Sequence, residues 1–324
     1  MSIFDIIYKY ILSNGFGYLS LPISIILTLI IALIITALVP LFVSGWIERK
    51  VAARIQSRRG PIFAGKFGLL QNLFDAIKML GKEIIRNENA DKLFLLPSIL
   101  YGTVVLLLFL IVPLGNKNLA ILNVSDNLLL TFILFSYLGL IAILGGIFSG
   151  NKFASISAYR EGVKTFAFEG IVLLSIFMIG YRSSFSFQNI NSVNIIYYPL
   201  IAISFLIGII SMIDRGPLDV TNAEQELIGG WRIEYSGLVY GLPLLGDYSL
   251  AFIASMIFSI LFLGGAGSGI LSFIIFWIKT FIIFFILILL RWLYPRPRID
   301  QLINFSWKYI FPLTILNAII IWMI

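Results

Sequence analysis

The chain contains neither cysteine nor histidine among its 324 residues. Their absence removes the usual ligands of zinc, copper, haem iron and iron–sulfur clusters, and with them Ser-His-Asp and Cys-His catalysis. Any redox centre that serves this protein must therefore sit in another chain. No disulfide framework can form, so cysteine gives no reading of the redox compartment. Charge is also scarce: only 12% of residues are Asp, Glu, Lys or Arg, about half the share of an ordinary soluble domain, roughly 25%. What fills the space is apolar, with 60% hydrophobic residues and a mean hydropathy of +1.01. These proportions describe an all-α polytopic membrane protein.

Residues 10–47, 93–116, 127–151, 183–213 and 248–278 carry no charged side chain. A helix of roughly 20 apolar residues crosses the hydrocarbon of a bilayer. The pattern predicts eight transmembrane helices at about 20–44, 94–114, 128–149, 166–181, 195–213, 238–262, 270–292 and 305–323, plus short amphipathic interfacial helices. Residues 1–324 read as a single transmembrane domain without repeat or linker, with inward loops at about 45–93, 150–165, 214–237 and 293–304. The first residues, MSIFDIIYKYILSNG, hold Asp5, no basic n-region and no small-residue cleavage site, and read as an interfacial segment rather than a signal peptide. Gly264–Gly269 joins two apolar runs with no strand before it, which predicts a tight turn and not a dinucleotide site.

Eight spans place both termini on one side. Eighteen of the 23 basic residues fall in the loops after spans one, three, five and seven, while Lys9, Lys117 and Arg182 fall on the other face. The positive-inside rule then turns the basic loops towards the cytoplasm or matrix and the termini outward. This asymmetry accounts for the net charge of +7. Bases split among short loops make nucleic acid an unsuitable partner.

Asp214–Tyr235, DRGPLDVTNAEQELIGGWRIEY, concentrates five carboxylates in one loop. Thr221-Asn222-Ala223-Glu224 fits a capping box, which would account for Glu224 as the N3 residue of a helix. Asp214, Asp219, Glu226 and Glu234 then remain, either as ordinary solvated loop acids or as a functional cluster. A helix starting at Thr221 would set Asn222 and Glu226 on one face. Glu169 and Lys279 lie inside predicted spans, where an ionisable group costs a few kcal/mol and the default expectation is a polar pathway. Snorkelling competes for Glu169, near the inner end of its span, and suits the deeper Lys279 less well. In the first loop, Phe67–Met79 alternates apolar residues with Gln71, Asp75 and Lys78, as an interfacial helix with one polar face would.

Four stretches together resemble subunit 1 of respiratory complex I, the proton-pumping NADH:ubiquinone oxidoreductase, and its bacterial counterpart. The first is Glu48-Arg49-Lys50 with Gln56, Arg58, Gly60-Pro61, Gly68-Leu69-Leu70-Gln71, Asp75, Lys78 and Lys82-Glu83. The second is Arg160 ahead of Glu169. The third is Arg215, Pro217, Asp219, Glu224, Glu226-Leu227, Gly230 and Glu234-Tyr235. The fourth is Tyr294-Pro295-Arg296, Arg298, Asp300-Gln301-Leu302, Trp307-Lys308 and Pro312-Leu313. The chain departs from that family at Leu218, where Phe is usual, at Asn222, where an acid is usual, at Lys164 and Phe168, where Gln and Tyr are usual, and at Asn72, where Pro is common. Asn222 matters most, because an amide exchanges no proton near neutral pH.

The resemblance implies a subunit that binds no cofactor of its own and takes ubiquinone as substrate. It implies that Arg49, Gln56, Arg58, Asp75, Lys78, Arg296 and Arg298 shape the quinone chamber or hold loops against the peripheral arm. It further implies that Glu169, Asp214, Asp219, Glu224, Glu226, Glu234 and Lys279 carry the proton or charge signal. Expected partners are the quinone-site and iron–sulfur subunits of the peripheral arm, neighbouring membrane-arm subunits and the lipid bilayer, in the mitochondrial inner membrane or a bacterial plasma membrane. The homologous subunit of a membrane-bound hydrogenase is an alternative. So is an ion-coupled secondary transporter, which would show an inverted repeat and a midplane site.

Overall fold

Backbone amides that cross hydrocarbon must be satisfied within their own segment, so a chain this apolar folds as helices. The computed structural model describes residues 3–13, 20–38, 43–115, 120–122, 124–190, 193–265, 267 and 269–323, and the regular elements among them are all helical. In chain order they are α1 (Ile3–Ser13), α2 (Ser20–Leu38), α3 (Gly45–Ile55), α4 (Gln71–Leu80), α5 (Leu96–Ile111), α6 (Asn127–Phe148) and α7 (Lys152–Arg182). There follow α8 (Asn194–Tyr197), α9 (Pro199–Met212), α10 (Glu224–Leu227), α11 (Gly237–Phe262), α12 (Ile270–Leu293), α13 (Ile299–Phe305) and α14 (Phe311–Met323). Among the described residues α6, α7, α11 and α12 are long and apolar enough to cross a membrane, and α5 and α9 are shorter apolar helices.

Four predicted spans match α5, α6, α11 and α12 to within a few residues. The others differ for local reasons. The span expected at 166–181 starts at Lys152 instead, because Arg160, Glu161 and Lys164, which read as loop charges, lie on the helix. Glu161 and Lys164 are buried there and paired. The span expected at 195–213 is broken at Tyr198, where the following Pro199 disfavours helical backbone in the residue before it. Of the span expected at 20–44, residues 39–42 lie outside the described residues, as does Lys117. The predicted interfacial helix of the first loop begins at Gln71 rather than Phe67, since Gly65, Phe67 and Gly68 all take positive φ. A Cβ on Gly68 would stand 2.2 Å from the Pro61 carbonyl oxygen, so the turn admits only glycine there.

α11 is the central helix: 78% of its most apolar window is buried, against 33% for the peripheral α12. α5, α6 and α9 pack with it around one apolar core that includes Phe109, Phe135, Phe205, Phe252 and Phe262. The acidic segment 214–236 is part of this interior and not a solvated loop. Leu218, Val220, Ala223, Leu227, Trp231 and Tyr235 are buried. Tyr235 stacks on Phe94 with ring centroids 4.4 Å apart and meets Trp231 edge-on at 5.4 Å. Gly145 on α6 leaves room for the Trp231 ring, whose nearest carbon would lie 2.5 Å from a Cβ at that position. The anchored aromatics fix the segment against α5 and α6, and so fix its acids.

The capping box does not form. Thr221 donates its hydroxyl to Asp214 Oδ1 at 2.9 Å, and α10 starts at Glu224 behind Ala223 without a side-chain cap. The helix is too short to align Asn222 with Glu226.

Candidate functional site

The four predicted inward loops meet in space, and ion pairs join them. Glu48 on α3 receives Arg215 at 2.5 Å from the acidic segment and also pairs with Arg291 at the end of α12. The second guanidinium nitrogen of Arg215 donates to the Asp247 backbone carbonyl at 2.8 Å. Asp247, on α11, is held by Arg232 at 2.8 Å and by the Tyr101 hydroxyl at 2.7 Å. On α7, Lys164 faces Glu161 at 2.7 Å and pairs with Asp214. Asp219 pairs with Arg296 at 3.3 Å and accepts the Asn222 backbone N–H at 3.2 Å. Within these pairs five acids face five bases, so the cluster is neutral as a whole, as burial demands.

The charges are nonetheless unevenly shared. Glu48 carries two arginines, whereas Lys164 carries two carboxylates. Burial alone would raise the Glu48 carboxyl, but Arg215 and Arg291 outweigh it and hold the group below its ordinary value. Asp219 moves the other way: burial and the neighbouring charge of Asp214 push it up, against the pull of Arg296. Arg232 is further enclosed by aromatic faces, 5.0 Å above the Trp231 ring and 5.5 Å from that of Tyr101.

Three hollows adjoin this network. One, of about 170 Å³, is lined by Asp214, Arg215, Asp219, Asn222, Arg232, Asp247, Arg291 and Arg296, with Leu244 and Tyr248 on its wall. A second, of about 230 Å³, is apolar and lies between α4 and α11, bounded by Met79, Leu80, Leu238, Leu242, Leu244, Leu245 and Tyr248, with Arg49 and Asp75 at its edge. Leu244 and Tyr248 belong to both, and the Arg215 guanidinium lies 5.5 Å from the Tyr248 ring. The third, about 810 Å³, is polar and open, with Arg160, Glu226, Arg291, Arg296, Arg298 and Asp300 around it.

A family model described as NADH dehydrogenase matches residues 26–322. The chain belongs to that family, the family of complex I subunit 1. It is thus a membrane protein and a subunit of an oxidoreductase complex, partnered by other complex I subunits.

Four of the seven predicted chamber residues line the three hollows. Arg49 and Asp75 pair at 2.6 Å beside the apolar one. Arg296 and Arg298 line the large polar one. Gln56 and Arg58 lie outside both on the exposed first loop, where Arg58 donates to Gln56 at 2.7 Å, and Lys78 is exposed.

Of the predicted charge-path residues, Asp214 and Asp219 are in the network. Glu226 is exposed and paired with Arg160 at 2.5 Å on the rim of the large hollow. Glu234 accepts from the Asn151 amide at 2.5 Å, which ties the segment to the start of α7. Glu169 is partly buried on α7 with no hydrogen bond or ion pair among the described residues. Lys279 donates to the Leu263 carbonyl at 2.5 Å, at the C-terminal end of α11. The Glu224 side chain lies outside the described residues.

The network also holds residues to which sequence reasoning assigned no role in the site: Glu48, Tyr101, Glu161, Lys164, Arg215, Arg232, Asp247 and Arg291. Asp247 carried a usable signal, since it is an acid inside the predicted span 238–262. Glu161 and Lys164, three residues apart, fit one helix face.

Proposed function

We propose that the chain forms part of the quinone chamber of complex I and links quinone reduction to proton translocation. The observation that carries this reading is the adjacency of two hollows that share Tyr248 and Leu244 as a common wall: an apolar one fit for a hydrophobic quinone, and a charged one behind it. A quinone at that boundary would bring its ring to a cluster of five acids and five bases whose proton occupancy responds to charge nearby. Electrons would come from an iron–sulfur centre in a neighbouring subunit, as a chain without His or Cys requires.

In this reading the chain crosses the membrane eight times, with both termini on the intermembrane-space or periplasmic side. The membrane is the mitochondrial inner membrane or a bacterial plasma membrane. Convergence of the four basic loops supports that arrangement.

The test is Leu245→Trp in the assembled enzyme, which fills the apolar hollow. Quinone reduction is expected to lose affinity for quinone while electron transfer from NADH to an artificial one-electron acceptor stays unchanged. Unaltered quinone kinetics in a fully assembled complex would remove the hollow from the chamber, and copurification with a nickel–iron subunit would favour the hydrogenase alternative.

A further inference from the structure

Glu161, Lys164 and Asp214 make a group of three that the rest of the network does not explain. The side chains of Glu161 and Lys164 are 2% and 1% exposed, and that of Asp214 is 10% exposed. Two carboxylates therefore share one ammonium in the interior. Glu161 Oε1 accepts from the Thr165 hydroxyl at 3.1 Å. Its Oε2 meets Lys164 Nζ at 2.7 Å. One ammonium thus balances only one of the two buried carboxylates, and a proton on either acid would neutralise the remaining charge.

Asp214 lies where α9 gives way to the acidic segment, in left-handed backbone with φ 51°. A non-glycine residue is held there only when its surroundings fix it, and Lys164 and Thr221 supply the fixing contacts. The same side chain opens onto the charged hollow, opposite Asp219, Arg291 and Arg296. α6 presents Gly139 to Glu161, where a Cβ would lie 3.4 Å from Oε1, and brings no charge.

We propose that Glu161, Lys164 and Asp214 form a proton-holding triad that opens through Asp214 onto the charged hollow, a role that rests on the coupling function proposed above. With both acids ionised the triad carries one surplus negative charge, which mirrors the surplus positive charge of the two arginines on Glu48. In the uptake step, a hydronium ion that enters the hollow from the medium gives a proton to a carboxylate oxygen of the triad. One O–H bond of the hydronium breaks to leave water, an O–H bond forms on the carboxyl, and Lys164 stays an ammonium throughout. The triad then passes from one negative charge to none, and release reverses the step. A negative charge arriving in the hollow favours uptake, and its departure favours release.

The experiment uses the assembled complex in vesicles, with infrared difference spectra of the protonated-carboxyl band recorded beside pumping. Wild-type enzyme is expected to show a band that changes between oxidised and reduced quinone pools. Glu161→Gln leaves Lys164 and Asp214 matched one to one, so it retains the fold; it is expected to lose that band and to lose pumping while quinone reduction continues. Lys164→Gln leaves two facing acids with no cation, so one is expected to hold its proton at every stage and the band to stop responding. Should Lys164→Gln fail to assemble, Glu161→Gln decides. An unchanged band and unchanged pumping in both Glu161→Gln and Asp214→Asn would overturn the triad. A pH jump without quinone tests the same band independently of the chamber, so failure of the quinone reading and failure of the triad are distinguishable.

Discussion

Arg215 and Glu48 stand 167 residues apart in the chain and meet at 2.5 Å with almost no exposure to solvent. A buried pair of this kind contributes little relative to an apolar replacement of both partners, but breaking it leaves one charge stranded, at a cost of about 3–5 kcal/mol. Glu48→Gln strands Arg215 and weakens the hold on Arg291 together. The expected outcome is a fall in assembled complex of that magnitude, read as loss of the intact species on native electrophoresis. Arg215→Lys is expected to fare almost as badly, since Arg215 reaches Glu48 and the Asp247 carbonyl with two separate nitrogens of one rigid fork, which lysine lacks.

Glu48 and Asp219 predict opposite slopes of stability against pH. Glu48 is held below its ordinary value, so its contribution is complete above that value and is lost as pH falls through the folded one. Asp219 is raised, so the folded state grips its proton more tightly than the unfolded chain, and stability is lost as pH rises from the ordinary value of 3.8 through the raised one. Melting of the purified complex as a function of pH should show the second slope vanish in Asp219→Asn. At neutral pH that variant should melt within about 1 kcal/mol of wild type, because the Arg296 partner is substantially exposed.

Gly230 turns the acidic segment with φ 66°, and a Cβ there would lie 2.5 Å from Asn222 Oδ1 and 2.7 Å from the Thr221 carbonyl. Gly230→Ala is therefore expected to cost about 1–3 kcal/mol through backbone strain and overpacking. Because Thr221 also holds Asp214, the infrared band of the triad should shift in the same variant. A melting temperature equal to wild type would refute the packing argument.

Helices were legible wherever charge was absent for long enough, as for α5, α6, α11 and α12, because both lipid contact and burial in the bundle call for apolar side chains. The start of α7 was not, since Glu161 and Lys164 carry the charge that ordinarily marks a loop and are buried only because Asp214, fifty residues on, meets Lys164. The same holds for Glu48 and Arg291, 243 residues apart. Local periodicity cannot register a partner at that separation. It also leaves the acids of the 214–236 segment unranked: Asp214 and Asp219 turn into the charged hollow, while Glu226 stays at the rim of the large polar one and Glu234 braces α7. What divides them is the anchoring of Trp231 and Tyr235 against α5 and α6, a tertiary fact.

Lys279 illustrates how an intramembrane charge can be satisfied without a carboxylate. Its ammonium reaches from α12 to the Leu263 carbonyl, just past the last residue of α11, where the backbone acceptors lack helical partners and the helix dipole is negative. The contact ties the two helices together. Lys279→Met removes the donor and leaves that carbonyl without it, a loss of about 1–2 kcal/mol in a partly buried setting. Lys279→Arg should restore most of it. The expected readout is a lower melting temperature of the complex and faster proteolysis within Gly264–Gly269 for the methionine variant alone. Equal melting and equal proteolysis would show that the carbonyl finds another partner and that the capping account is wrong.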